Sequence, residues 1–263
     1  MKVFCCSFEA TYGRLKQVLR KSIERHCPTA EWDGRGMRPA ALTPGIPQHA
    51  SINTGKLWTW NEAVQTTDDD IICMDADMVC LADLAPAFDG PFDSAQDGEF
   101  DFGYTVRPGL KRYQGGAVYV RNTAAAKAFM QEWTEVNDEL LDDPDRLERL
   151  IHRFGGANQA ALGTLLAAGG PSALTGCRMV GYAHPERPYC CLTWTRGDLR
   201  LKAMPCEIWN SCAQTWGTFG PETRLLHMTG RLRRAVLEAR VPDPAGPYAD
   251  MIPMVEAWLA EAR

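Results

Sequence analysis

Asp68-Asp69-Asp70-Ile71-Ile72-Cys73-Met74-Asp75-Ala76-Asp77-Met78-Val79-Cys80-Leu81 is the stretch on which the fold turns. An apolar run bounded by acids reads as a strand, and its lack of polar alternation marks one buried on both faces, as in a parallel sheet. Two more acids interrupt the run near its end, and the strand pleat sends the carboxylates of Asp75 and Asp77 to one side and Ala76 to the other. Hard carboxylate oxygens converging at a strand end suit Mg²⁺ or Mn²⁺, ions that bridge and neutralise the phosphates of a nucleotide.

Working outward, strand and helix alternate on both sides of this run. Upstream, Val3 to Phe8 reads as a strand, and Leu15, Val18, Leu19 and Ile23 form the apolar face of a helix. Residues 28 to 52 are rich in Pro and Gly with little periodicity; Asn53-Thr54 then caps a helix with Leu57, Trp60, Ala63 and Val64 on one face, ending near Thr66-Thr67. Downstream, Asp101 to Val106 and Gly116 to Val120 read as strands, and Asn122-Thr123 caps a helix carrying Ala126, Phe129, Met130, Trp133, Val136 and Leu140. An acidic, polar stretch from Asn137 to Arg149 leads to a helical pattern with Ala157, Ala161, Leu165 and Leu166, closed by Gly169-Gly170-Pro171. Later strand candidates are Cys177 to Tyr182, Leu201 to Ile208 and Arg224 to His227. A Pro-rich link from Val241 to Pro253 precedes a short helix around Val255, Trp258 and Leu259. The alternation predicts an α/β fold with a mainly parallel central sheet flanked by helices and a site at the carboxyl ends of the strands. Residues 1 to 240 are expected to form a single domain, with 241 to 263 as a link and helix packed on it.

At 263 residues, 45% hydrophobic and 23% charged, the chain has enough apolar content for a core and is not disordered. A net charge of -5 excludes a global positive field for nucleic acid or anionic lipid, though not a local patch. No apolar stretch approaches a membrane span, and the first residues meet Glu9 too soon for a signal peptide, so a soluble cytoplasmic protein is expected. The ten cysteines are spread over a long chain without an export signal and are expected as reduced thiols. Cys5, Cys6, Cys73 and Cys80 lie in strand-like runs; Cys190-Cys191 with His184, or Cys206 with Cys212, are metal alternatives without the usual ligand spacing.

A second constellation lies at Leu225-Leu226-His227-Met228-Thr229-Gly230-Arg231-Leu232-Arg233-Arg234. Gly230 lets backbone approach a ligand closely, guanidinium groups suit phosphate, and His227 beside them fits a metal-diphosphate site.

These pieces together resemble the glycosyltransferases of the GT-A fold, most of all the family 8 group. The resemblance rests on Asp68 to Leu84, the preceding helix with Lys56, Gln114-Gly115-Gly116 before a strand, Asn158-Gln159, and His227-x-x-Gly230-x-x-Arg233. It spans roughly residues 1 to 235. It implies a nucleotide-sugar donor, a UDP-sugar before a GDP-sugar, with Mn²⁺ or Mg²⁺ held by Asp75, Asp77 and His227. It places Ser7, Glu9 and Tyr12 at the base and ribose, Lys56 at donor phosphate or sugar, Gln114, Gly115 and Gly116 in the donor site, and Gly230 and Arg233 at the diphosphate. Asn158 and Gln159 fall near the sugar as candidate catalytic groups. Two departures stand out: Gln-Gly-Gly replaces the family's Asn-Ser-Gly or Asn-Ala-Gly, and Asn158 replaces an acid.

The implied reaction is substitution at the anomeric carbon with retention, by same-face attack of an acceptor hydroxyl. An inverting enzyme needs a carboxylate base, for which Asp101 and Asp198 are the candidates. The acceptor stays open among a saccharide, a small molecule, a protein and a modified nucleic acid base. Trp194, Trp209 and Trp216 read either as stacking platforms for it or as core, and Arg231, Arg234 and Arg240 either extend the diphosphate patch or are solvated. Alternatives are a nucleotide-sugar-binding domain without turnover, and a sugar-phosphate nucleotidyltransferase. The second lacks its Gly-rich, Arg-containing loop after the first strand, and no G-x-G-x-x-G supports a dinucleotide enzyme.

Overall fold

In the computed structural model, which describes residues 1–7, 9–37, 46, 48–88, 99–107, 113–167 and 191–263, a 7-stranded sheet divides the helices into two layers. Its strands are β1 (Lys2–Ser7), β2 (Glu31–Gly36), β3 (Ile71–Met74), β5 (Phe102–Val106), β6 (Tyr113–Val120), β7 (Leu192–Arg196) and β8 (Leu199–Pro205). They lie in the order β2-β1-β3-β6-β5-β8-β7. The pairs β2/β1, β1/β3 and β5/β8 are parallel, and β6 and β7 run against the other strands. A 2-stranded ribbon of β4 (Met78–Cys80) and β9 (Leu225–His227) stands beyond the carboxyl end of β3.

Side-chain alternation in β1 assigns the layers. Phe4 and Cys6 point with Cys73 and Phe102 toward α2 (Gln48–Thr66), α3 (Ala124–Leu141), α4 (Pro144–Phe154) and α5 (Ala157–Ala167). Val3 and Cys5 point with Ile72 and Met74 toward Leu19, Ile23 and Cys27 of α1 (Glu9–His26) and the residue after it. All four residues of β3 are buried, which is why its sequence shows no alternation. A third cluster joins Leu15 and Val18 of α1 to Val79, Leu226, Leu232 and Val236, on β4, β9 and α7 (Gly230–Leu237), and to Val255 and Trp258 of α8 (Ile252–Ala262). The ribbon therefore rests on α1, α7 and α8.

Several expectations change. The run from 71 to 81 is two strands with a turn at Asp75 to Asp77, so its acids are presented by a turn and not by a pleat. Edge strand β2 lies where little periodicity was found; its residues are half-buried or exposed and hence carry no apolar pattern. Helix α2 starts at Gln48, so Asn53 and Thr54 lie within it; Thr54 is buried and accepts from Asn137 Nδ2 at 3.0 Å. The acidic stretch after Asn137 is the end of α3 and most of α4, whose first turn is capped by Asp143 accepting from Arg146 N, with Pro144 at its start. The late strand begins at Leu199 and stops at Pro205, where the short helix α6 (Cys206–Trp209) takes over. The Thr123 cap of α3 is as expected, its side chain accepting from Ala126 N. Cys177 to Tyr182, Gly169-Gly170-Pro171, His184 and Cys190 lie outside the described residues.

Asp101 and Asp198 precede β5 and β8, parallel strands whose amino ends lie at the edge of the sheet opposite Asp75. Neither is placed to act as a base there. Asp101 instead clamps the sheet: it is 3% exposed, accepts from Thr123 Oγ1 at 3.0 Å and from Arg200 N, Nε and Nη2 at 2.9 to 3.1 Å. Burial alone raises a carboxyl's pKa, but the Arg200 contacts outweigh it and hold Asp101 below its usual range. A depressed carboxyl stabilises the fold above its unfolded pKa of about 4 and loses that contribution as pH falls through the lower folded value. Asp101→Asn is expected to lower stability at neutral pH by about 1–3 kcal/mol and to flatten the loss in acid. Urea unfolding at stepped pH checks this, and parallel acid limbs for both proteins would contradict it.

Candidate active site

The carboxyl ends of β1 and β3, the first turns of α5 and α7 and the inner face of α2 surround a cavity of about 300 Å³. Ser7, Tyr12, Lys56, Asp75, Asp77, Gln114, Gly115, Asn158, Gln159, His227, Gly230 and Arg233 all line it. Residues as far apart in sequence as Ser7 and Arg233 are thus brought together. Glu9 opens α1, and its side-chain surroundings lie outside the description.

Backbone pairing fixes the acids. Asp75 N donates to Gly116 O at 2.7 Å, which ties the turn to β6, and Met228 N donates to Asp77 O at 2.8 Å, which ties it to β9. In the ribbon Met78 pairs with His227, so the histidine ring is delivered beside the turn. His227 Nε2 lies 3.4 Å from Asp77 Oδ1 and 3.8 Å from Asp75 Oδ2, and the ligand atoms of the three residues fall within 4.8 Å of one another. They form a metal-competent group of two hard oxygens and an imidazole nitrogen, a donor set suited to Mn²⁺ or Mg²⁺.

Cations balance the acids. Lys56 Nζ donates to Asp75 Oδ1 at 2.7 Å and to Gly115 O at 3.1 Å, and lies 4.7 Å from the Trp60 ring centroid. Arg233 Nη1 donates to Asp77 Oδ2 at 2.9 Å and to Tyr12 OH at 3.0 Å, with its guanidinium over the Tyr12 ring. Burial raises the Asp75 pKa, and Asp77 beside it adds to this against the pull of Lys56 and His227. Asp77 is also buried, but His227, Arg233 and Lys56 outweigh that and hold it below its usual range. Burial disfavours a charged His227, yet Asp77 and Asp75 prevail and push its pKa up.

The two glycines of β6 make room for side chains of the site. A Cβ on Gly116 would sit 2.5 Å from His227 Cε1 and Nδ1, and one on Gly115 would meet Gln159 Cγ at 3.0 Å and Asn158 Nδ2 at 3.1 Å. Gly230 opens α7 at φ +55, a left-handed conformation that favours glycine, and lines the cavity with Thr229 and Arg233. Gln159 Nε2 donates to Tyr113 O and to Gln114 Oε1, fastening α5 to β6. Ser7 Oγ and Asn158 Nδ2 are buried and have no hydrogen-bond partner. Two such atoms on one cavity fit a polar ligand that supplies their bonds.

Asn53, Met37 and Thr229 also line the cavity and were not singled out from the sequence. Asn53 had been assigned to a cap, and a neutral side chain on a helix carries no signal of its own. Trp209 is fully buried, and Trp194 donates to Tyr104 OH at 3.0 Å, so both are core; Trp216 is half-buried against the α7–α8 cluster. Arg231, Arg234 and Arg240 are exposed, Arg231 lying over Tyr248. Cys206 and Cys212 are buried free thiols, and among the described residues the only metal-competent group is Asp75, Asp77 and His227.

Gly116→Ala is expected to lose about 1–3 kcal/mol of stability by overpacking against the His227 ring. Gly36→Ala, which meets nothing within 4 Å, serves as the control. Equal unfolding midpoints for the two variants would refute the packing of ring on strand.

No protein-family model and no curated protein matches the chain. Solved structures do. A glycosyltransferase involved in the glycosylation of the major capsid of PBCV-1 aligns with TM-score 0.53 at 11% identity, over 89% of this chain and 94% of that one. Glycosyltransferase GlyE of Streptococcus pneumoniae TIGR4 aligns with TM-score 0.53 at 13% identity, over 99% of this chain and 59% of GlyE. The galactosyltransferase LgtC, in complex with donor and acceptor sugar analogs, aligns with TM-score 0.50 at 10% identity, over 100% of this chain and 95% of LgtC. At such identities the likeness is one of fold, and this chain has the GT-A fold of the glycosyltransferases.

Proposed function

We propose that the chain is a metal-dependent glycosyltransferase that moves a sugar from a nucleotide-diphosphate donor to a hydroxyl acceptor with retention. The observation that carries the reading is the Asp75, Asp77, His227 group set in a cavity with Lys56, Gly230 and Arg233 on a GT-A fold. A divalent ion held by the three residues supplies Lewis-acid charge for a departing diphosphate. Everything else is work for this chain's own side chains.

Arg233 exchanges its contact with Asp77 for the diphosphate oxygens, and the first N–H groups of α7 after Gly230 face the same charge. Lys56 holds Asp75 and Gly115 in place and adds positive charge on the sugar side. Ser7, at the end of β1, and Tyr12, in the first turns of α1, face the base and ribose, while Asn158 and Gln159 face the sugar. The bond from anomeric carbon to phosphate oxygen breaks with its electron pair leaving on the diphosphate. The acceptor oxygen bonds to the same face of that carbon, and its proton passes to the departing phosphate oxygen. Retention rests on the resemblance to the family 8 group, and the acids described on the cavity, Asp75 and Asp77, are both in the metal group. The sugar is drawn from a UDP donor in preference to a GDP donor.

Calorimetric titration with UDP and GDP, with and without Mn²⁺, is expected to show metal-dependent binding of UDP that disappears in an Asp75→Ala, Asp77→Ala double variant. Absence of binding by either nucleotide would overturn the reading, and binding without turnover of any donor would favour a nucleotide-sugar-binding domain.

Arg233→Ala is expected to lower turnover about 10²–10³-fold, as removal of a preorganised charge at a leaving group does. Arg233→Lys recovers only part, because a lysine lacks the planar fork. Donor hydrolysis by the three proteins measures this, and wild-type rates in the alanine variant would remove Arg233 from the mechanism.

A further inference from the structure

Asn210 is fully buried in the turn after α6 and bonds at both ends of its amide. Its Oδ1 lies 3.1 Å from His227 Nδ1, and its Nδ2 donates to Thr105 Oγ1 at 2.8 Å. Thr105, fully buried on β5, donates its hydroxyl hydrogen to Gln114 O at 3.1 Å. A backbone carbonyl only accepts, so with that hydrogen committed Thr105 turns a lone pair to Asn210 and needs a donor from it. The amide NH₂ supplies one and its carbonyl cannot. Nδ2 therefore faces Thr105 and Oδ1 faces His227.

An acceptor opposite Nδ1 requires a hydrogen there. Nε2 is then the nitrogen turned to Asp75 Oδ2 and Asp77 Oδ1, 3.8 and 3.4 Å away, and a hydrogen facing those carboxylates is the one a metal ion would replace. The reverse amide orientation would put a donor against Nδ1, move the ring hydrogen to Nε2 and block that nitrogen as a ligand.

We propose that Asn210, oriented by Thr105, is the positioning residue that keeps a hydrogen on His227 Nδ1 and so leaves Nε2, facing the two carboxylates, as the nitrogen a metal ion binds. The inference rests on the metal reading of Asp75, Asp77 and His227 and deepens it. It also links two walls of the site: the run from His227 through Asn210 and Thr105 ends on the backbone of Gln114, whose side chain lines the cavity and bonds Gln159. Partners outside a metal's own ligands fix a histidine's tautomer and raise its basicity, and their loss typically weakens metal affinity about 10- to 100-fold.

Long-range proton–nitrogen NMR on the intact protein with ¹⁵N-labelled histidine, with and without Mg²⁺, reads which ring nitrogen carries hydrogen without any variant. Nδ1 is expected to carry its hydrogen in both samples; a bare Nδ1 in either overturns the proposal. Thr105→Val releases the amide and is expected to yield a mixture of tautomers, whereas an unchanged signature overturns the part given to Thr105. Mn²⁺ titration followed by electron paramagnetic resonance adds the consequence. Asn210→Leu is expected to bind about 10- to 100-fold more weakly, and Asn210→Asp, which keeps an oxygen opposite Nδ1–H, to recover most of the affinity. Wild-type affinity in the leucine variant counts against the proposal. Should the wild-type protein take up no Mn²⁺, the metal reading falls, while the metal-free tautomer still decides the assignment of Asn210.

Discussion

The pairing of β4 with β9 is the constraint on which the site depends. Three residues on each side form it, and Met78 opposite His227 is the contact that turns two acids into a three-residue group. So short a ribbon is not stable by itself. It is held from outside: Leu81 N donates to Arg224 O, Met228 N to Asp77 O, and Ser211 bridges Leu226. Beneath it, Val79, Leu226 and Met228 pack with Leu232 and Val236 of α7 and with Trp258 of α8. The last two helices are thus the floor of the ribbon, which is why a segment far from the acids in sequence governs their geometry. Glu261 of α8 pairs in turn with Arg25 and His26 at the end of α1, so the floor is fastened to the helix that follows the first strand.

Electrostatics set a second requirement on the same turn. Two carboxylates within reach of one histidine repel each other, and in a buried setting such charges persist only when paired. Lys56 takes one oxygen of Asp75, and Arg233 and His227 share Asp77, so the chain supplies its own counter-charges. Both cations reach the acids from the cavity wall through long side chains, Lys56 from α2 and Arg233 from α7. The turn that carries the acids is itself fixed by the backbone hydrogen bonds of Asp75 N to Gly116 O and Met228 N to Asp77 O, independently of these side chains. A preorganised site of this kind spends little reorganisation when charge develops on a bound group.

What the sequence makes legible follows the same physics. Strands buried on both faces declare themselves as unbroken apolar runs, and β1, β3 and β5 are all of that kind. The edge strand β2 has no such run, because an edge faces water and carries Glu31, Asp33 and Arg35. Helix α4 hides for a related reason: only Leu147 and Phe154 are buried in it, so its charged surface reads as a linker until Asp143 and Pro144 are recognised as a helix start. The acids and the histidine were legible as residue types with chemistry. Their convergence was legible only through the family resemblance and not from local pattern, since neither the break between β3 and β4 nor the ribbon partner of β4 leaves a local mark in a three-residue strand. Asn210 and Asn53 escaped for a different reason, as neutral amides have no pattern that separates a turn residue from one facing a site.

Asn158 shows how a departure from a resembled pattern gains meaning from its surroundings. An acid at this position would stand near Asp75 and Asp77 in a cavity whose described cations are already engaged with those two carboxylates. The amide avoids a third negative charge there while keeping a side chain of the same shape. It is held between Gly115 and Gly156, whose missing Cβ atoms leave the room it occupies, and its backbone carbonyl accepts from Trp133 Nε1 at 2.8 Å. What the amide adds is a donor: Nδ2 is buried and unpartnered, where a carboxylate would only accept. On this cavity the amide thus presents a buried hydrogen where an acid would present a third negative charge.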